Sequence, residues 1–131
     1  MKVDHIGIAV KDLQETLNVY KKILGNVEAE IEDVPTERVK VAVIPVGETR
    51  IELLQAMNEE STIAKFINER GEGVHHIAVA VEDIKANIAR LSAEGLRVLY
   101  PEPRQGAHGK LITFVHPKST KGVLLELCQL S

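Results

Sequence analysis

The sequence predicts an α+β fold made of two tandem βαβββ modules, and three observations carry that prediction. First, Val3-Asp4-His5-Ile6-Gly7-Ile8-Ala9-Val10-Lys11-Asp12-Leu13 returns as Val74-His75-His76-Ile77-Ala78-Val79-Ala80-Val81-Glu82-Asp83-Ile84. Second, Ile51-Glu52-Leu53 returns as Leu125-Glu126-Leu127. Third, between these echoes each half carries one segment of helical periodicity followed by Val/Ile-rich runs. A repeated strand leading into a helix start is the mark of duplicated modules facing each other across one site. With 131 residues the chain fits a single domain, because modules of half that length would be marginal alone.

The elements follow in order. Residues 3–10 read as a strand, and Asp12 with Glu15 three residues later opens a helix as a capping box. Leu13, Leu17, Tyr20 and Leu24 recur at helical spacing, and Gly25 stands where a left-handed cap is wanted. Strands are expected at 27–33, 38–46 and 49–55, separated by Pro35-Thr36 and Gly47-Glu48 turn signals. Module one thus covers about 1–57. A linking helix falls within about 60–71, with Ser61 as N-cap, Ile63, Phe66 and Ile67 on one face and Gly71 beyond its end. Module two, about 73–131, repeats the order: strand 74–81, helix 83–94 capped by Gly95, then strands near 96–100, 110–116 and 122–129. The irregular stretch from Pro101 to Gly109 is a candidate substrate loop.

Composition narrows the function classes. A formal charge of -3, two Tyr, two Phe and no Trp provide neither a basic surface nor rings for base stacking, which argues against nucleic acid. The single cysteine, Cys128, has no internal partner for a disulfide. No apolar stretch approaches the ~20 residues of a membrane helix, and the chain opens on a strand-like run instead of a signal-type segment. A soluble cytoplasmic protein without membrane partners is expected.

Side chains alternate along a strand, so His5, Gly7 and Ala9 share one face and Ile6, Ile8 and Val10 the other. His76, Ala78 and Ala80 repeat this against Ile77, Val79 and Val81. The branched faces suit packing under a helix, while the histidine faces are lined by small residues that leave space for a ligand. Glu52 and Glu126 are each flanked by apolar residues that must point the opposite way, which aims both carboxylates at the histidine faces. The histidines lie 71 residues apart and the glutamates 74, a difference loops absorb. Two imidazoles and two carboxylates suit Co²⁺, Ni²⁺, Mn²⁺ or Zn²⁺ and leave open positions if the geometry is octahedral.

Other candidates have plainer readings. Gln55 competes with Glu52, but parity puts it on the opposite face. His75 points away from His76, His116 serves the turn before Pro117, and Cys128 shares Glu126's parity as a small buried thiol. His108, in the glycine-flanked loop, is a candidate substrate contact beside the blander reading of a solvated loop histidine.

These residues carry a resemblance. The paired modules with their His/Glu set resemble the vicinal oxygen chelate, or glyoxalase-like, superfamily, and the similarity implies that the two modules form a curved eight-stranded mixed sheet. Within it the chain is most similar to the methylmalonyl-CoA epimerase family, through Asp4–Val10, Ile51–Leu54, Glu60–Phe66, Gly73–Ala78, Gly106–Lys110, His116-Pro117-Lys118 and Gly122–Leu127. The resemblance implies that His5, His76 and Glu126 are metal ligands, with Glu52 at a place some members fill with Gln. It also implies a preference for Co²⁺, an acyl-CoA substrate and a homodimer. The implied reaction interconverts (R)- and (S)-methylmalonyl-CoA by removing the α-proton through an enolate, with Glu126 as one acid/base beside its ligand role. The glutamate that some members are thought to use on the third strand has no counterpart in Val39-Lys40-Val41. Lys118, Lys121, Arg104 and Lys110 are candidate contacts for the CoA phosphates. Two alternatives stand beside this reading: a glyoxalase I-type lyase acting on a glutathione hemithioacetal, and a non-catalytic small-ligand-binding module.

Overall fold

The structure is a computed structural model that describes residues 1–106 and 109–130. Its element order is β1 (Lys2–Ala9), α1 (Leu13–Leu24), β2 (Glu30–Val34), β3 (Val39–Val46), β4 (Thr49–Ala56), α2 (Thr62–Arg70), β5 (Gly73–Ala80), α3 (Ile84–Ala93), β6 (Arg104–Gln105), β7 (Leu111–Val115) and β8 (Leu125–Gln129). This is the expected βαβββ order, twice. The chain divides into two compact units, one of His5–His75 and one running from His76 onward together with Met1–Asp4.

In the first unit β1 runs parallel to β4, and β4 pairs antiparallel with β3, which pairs with β2. Helix α1 begins as the sequence predicts: the Asp12 carboxylate accepts from the Glu15 N–H at 3.0 Å, satisfying a donor that the first turn leaves without a helical partner. It ends at Gly25, whose φ of 82° is a left-handed conformation that a side chain would resist. Leu13 and Leu17 pack with Val10, Ala42, Ile44 and Leu53, each such burial contributing about 1.5–3 kcal/mol relative to exposure. The opposite face of the same strands carries Ala9, Val39, Val41 and Leu54, which pack with Ile63 of α2. Both faces at this end of the sheet are therefore covered, and the alternation read from the sequence is the one that forms.

The second unit repeats the parallel pairing of its first and last strands, β5 with β8, and β8 pairs antiparallel with β7. Ile84 and Ile88 of α3 pack on Val81 and Leu127, with Val79 and Leu125 around them. The helix closes at Glu94, and Gly95 with φ 84° follows immediately.

Three strand expectations need correcting, and one of them is the strand expected at 122–129, which begins only at Leu125. The strand expected at 27–33 forms as Glu30–Val34. The strand expected near 96–100 does not form as a ladder. Val98 makes a single bridge to Val115, Leu99 N–H donates to the Phe114 carbonyl, and β6 is instead the two residues Arg104–Gln105. The Thr113 hydroxyl explains the break, since it bonds both the N–H and the carbonyl of Tyr100 at 3.2 and 2.9 Å, in place of strand partners. Pro101 and Pro103 then remove the donors needed to continue.

Candidate metal-binding half-sites

Each unit brings one histidine to one glutamate. Gly7 lies opposite Glu52 in the β1–β4 register and His5 opposite Arg50, so the imidazole and the carboxylate share a face across neighbouring strands. His5 Nδ1 stands 3.7 Å from Glu52 Oε2. In the second unit Ala78 lies opposite Glu126 in the β5–β8 register, and His76 Nε2 stands 3.8 Å from Glu126 Oε1. Both separations exceed a good hydrogen bond. They suit two ligands of one ion, because bonds of about 2.1 Å keep ligand atoms about 3 to 4.2 Å apart. The donor chemistry fits a borderline divalent cation. The carboxylates differ in exposure: the Glu126 side chain is 10% exposed and that of Glu52 18%.

The small residues expected beside the histidines are buried, Gly7 and Ala9 in the first unit and Ala78 in the second. Gln55 lies on the opposite face from Glu52, as parity requires, and its role is now visible. Its side-chain oxygen accepts from the Leu13 N–H at 2.6 Å, the first donor of α1. Gln129 does the same for the Ile84 N–H of α3, also at 2.6 Å. Sequence reasoning missed this pair although the signal was present: Glu52-Leu53-Leu54-Gln55 matches Glu126-Leu127-Cys128-Gln129. The glutamate echo extends three residues, and its last member ties each glutamate-bearing strand to the start of its helix.

Of the other candidates, His75 packs edge-on against Phe66 with ring centroids 5.0 Å apart. Burial and then the Arg70 guanidinium hold its pKa below the ordinary histidine value. His116 serves its turn, Nδ1 accepting from the Lys118 N–H at 3.0 Å. Thr120 Oγ1 bonds the Pro117 and Val123 carbonyls within the same loop. Lys118 and Lys121 are both exposed there. Lys110 is not at an open rim. It is buried at 8% exposure, with Nζ 2.9 Å from Asp4 Oδ2, because an ammonium so far from water needs a counter-charge. Arg104 lies over the Tyr100 ring, 3.8 Å from its centroid, a cation–π contact. Cys128 is buried, with Sγ 3.7 Å from the Val79 carbonyl. His108 lies outside the described residues.

With this geometry in view, comparison with known proteins defines the class. Residues 4–114 match the Glyoxalase/Bleomycin resistance protein/Dioxygenase superfamily, and the chain belongs to it. Within that superfamily it belongs with the methylmalonyl-CoA epimerases. It is 42% identical over 130 residues to the ethylmalonyl-CoA/methylmalonyl-CoA epimerase of Cereibacter sphaeroides, covering 98% of this chain and 97% of that protein. It superposes with a TM-score of 0.89, at 38% identity and covering 100% of this chain and 95% of the other, on a variant of the Streptomyces coelicolor methylmalonyl-CoA epimerase in complex with 2-nitronate-propionyl-CoA. Similarity to the lactoylglutathione lyase of Arabidopsis thaliana is lower, 25% over 126 residues, covering 95% of this chain and 43% of that protein. Among the described residues no helix is long and apolar enough to cross a membrane.

Proposed function

We propose that the protein is a metal-dependent epimerase that interconverts the (R) and (S) forms of methylmalonyl-CoA. The observation that carries this reading is the matched pair of His–Glu spacings, 3.7 and 3.8 Å, in a chain similar over its whole length to such epimerases. His5, Glu52, His76 and Glu126 would hold one divalent ion, and His5, His76 and Glu126 make a group suited to that task. Co²⁺ is the ion we assign. When bound, such an ion supplies positive charge where negative charge develops as the α-proton leaves.

The remaining work falls to side chains. Glu126, 10% exposed, takes the α-proton from one face of the α-carbon, and inversion is completed when a second acid/base group delivers a proton to the opposite face. Its burial suits a carboxylate that must accept a proton from carbon. His5 and His76 hold the set from β1 and β5, whose small neighbours leave room for the acyl group. Lys118 and Lys121, exposed beside the turn that His116 stabilises, are assigned to the CoA phosphates, as is His108 to the substrate. The reading includes a cytoplasmic homodimer.

The test follows the α-hydrogen of (R)- or (S)-methylmalonyl-CoA into solvent, with and without Co²⁺. Exchange that depends on added Co²⁺ is the expected result. Turnover of the glutathione hemithioacetal of methylglyoxal, with no exchange from methylmalonyl-CoA, would overturn the reading in favour of a glyoxalase I-type lyase. Protein that takes up no ion and shows neither activity would point to a binding module.

A further inference from the structure

The two half-sites are near copies, but the substrate proposed for them is not symmetric. Methylmalonyl-CoA carries a free carboxylate on one side of its α-carbon and a thioester on the other. A symmetric ligand set cannot tell these apart, so whatever orients the substrate must break the repeat.

One charged residue on the strands beside the half-sites does so. Arg50 precedes Glu52 by two residues on β4 and therefore shares its face. It lies opposite His5 in the β1–β4 register and opposite Pro45 on β3. Its Nε stands 4.0 Å from Glu52 Oε2, the same oxygen that faces His5. At 32% exposure the Arg50 side chain reaches the margin of the half-site without being buried in it. Around it this face offers no other cation among the described strand residues of the unit: β3 presents Val39, Val41 and Val43, and β1 presents Gly7 and Ala9. In the second unit the position two residues before Glu126 is Leu124. The imidazoles and carboxylates are thus duplicated, and the guanidinium is not.

We infer that Arg50 orients the substrate by binding the free carboxylate of an α-carboxyacyl-CoA. The inference rests on the function proposed above. A guanidinium suits the task because its planar donors match both oxygens of a carboxylate and stay charged at any working pH. Its nearness to Glu52 gives Arg50 a second effect, holding that carboxylate toward His5.

The test is calorimetric titration of the cobalt-loaded full chain with malonyl-CoA, which has the carboxylate, and acetyl-CoA, which lacks it. The wild type should prefer malonyl-CoA. Arg50→Met should weaken malonyl-CoA binding about 10- to 100-fold, the loss of one charge-assisted contact, and leave acetyl-CoA unchanged. Arg50→Lys should recover part of the preference. An unchanged ratio of the two affinities in Arg50→Met overturns the inference, as does equal weakening of both ligands or a loss of bound cobalt that accounts for the change. Solvent exchange from methylmalonyl-CoA, measured on the wild type alongside, separates the two ideas. Exchange with an unchanged ratio discards the role of Arg50 alone, whereas absence of exchange discards the function and this assignment with it.

Discussion

The two units are alike at their ends and unlike in the middle. Each opens with a strand bearing a histidine, turns into a helix through an aspartate cap, and closes with a strand carrying a glutamate and, three residues on, a glutamine. Between those ends the first unit has a five-residue β2 and an eight-residue β3, while the second has a two-residue β6 and a five-residue β7. The shared parts hold donor atoms at set spacings, 3.7 and 3.8 Å. Duplication therefore accounts for the matched His–Glu pairs, and divergence sets the two units apart between them.

The strongest way to break this comparison is to neutralise one glutamate at a time. Glu126→Gln should lower the epimerisation rate by about 10²- to 10⁴-fold, the range for loss of a general acid/base, with the far-UV circular dichroism unchanged. Near-normal turnover would remove Glu126 from proton transfer. The second unit also depends on a contact with no counterpart in the first, the buried Lys110–Asp4 pair. Lys110→Met removes the ammonium beside Asp4, and denaturant unfolding should report a loss of about 3 kcal/mol. A change under 1 kcal/mol would mean the pair behaves as a surface one.

Smaller effects sharpen the likeness instead. Glu52→Gln keeps an oxygen donor at its place, so activity should fall by no more than about tenfold, or 1.4 kcal/mol. A loss equal to that of Glu126→Gln would make the half-sites equivalent in function as well as in form. Gln55→Ala and Gln129→Ala each remove one bond to a helix start and should each cost about 1 kcal/mol. Thermal melts of the two variants should shift by similar amounts, and a shift in only one would show that the shared motif holds one helix alone.

Much of this was legible because strand alternation leaves little freedom once one face is apolar. Ile8, Val10, Ile51 and Leu53 had to meet a helix, and they pack around Leu13 and Leu17, so His5 and Glu52 had to face the other way. Local caps were equally readable, since Asp12 and Gly25 act on neighbours in the chain. What escaped depends on residues far apart. Lys110 looked like a surface cation because nothing local reveals that Asp4 lies 2.9 Å away. The strand expected near 96–100 had suitable residues, but Thr113 takes the bonds of Tyr100 with its side chain, and no propensity encodes that. Gln55 has the chemistry of a ligand competitor, and its partner is the backbone N–H of Leu13, 42 residues away.

The broken strand beside β7 bears on how the protein behaves at high concentration. A sheet's last strand exposes unused N–H and C=O groups that invite another chain to pair. Here β6 is two residues long and follows Pro101 and Pro103, so an incoming strand finds no run to zip along. In the first unit β2, paired with β3, is longer but reads Glu30-Ile31-Glu32-Asp33-Val34, and three carboxylates repel a second copy of themselves. One strand is guarded by shortness and the other by charge, and each device disfavours fibrous self-association along its strand.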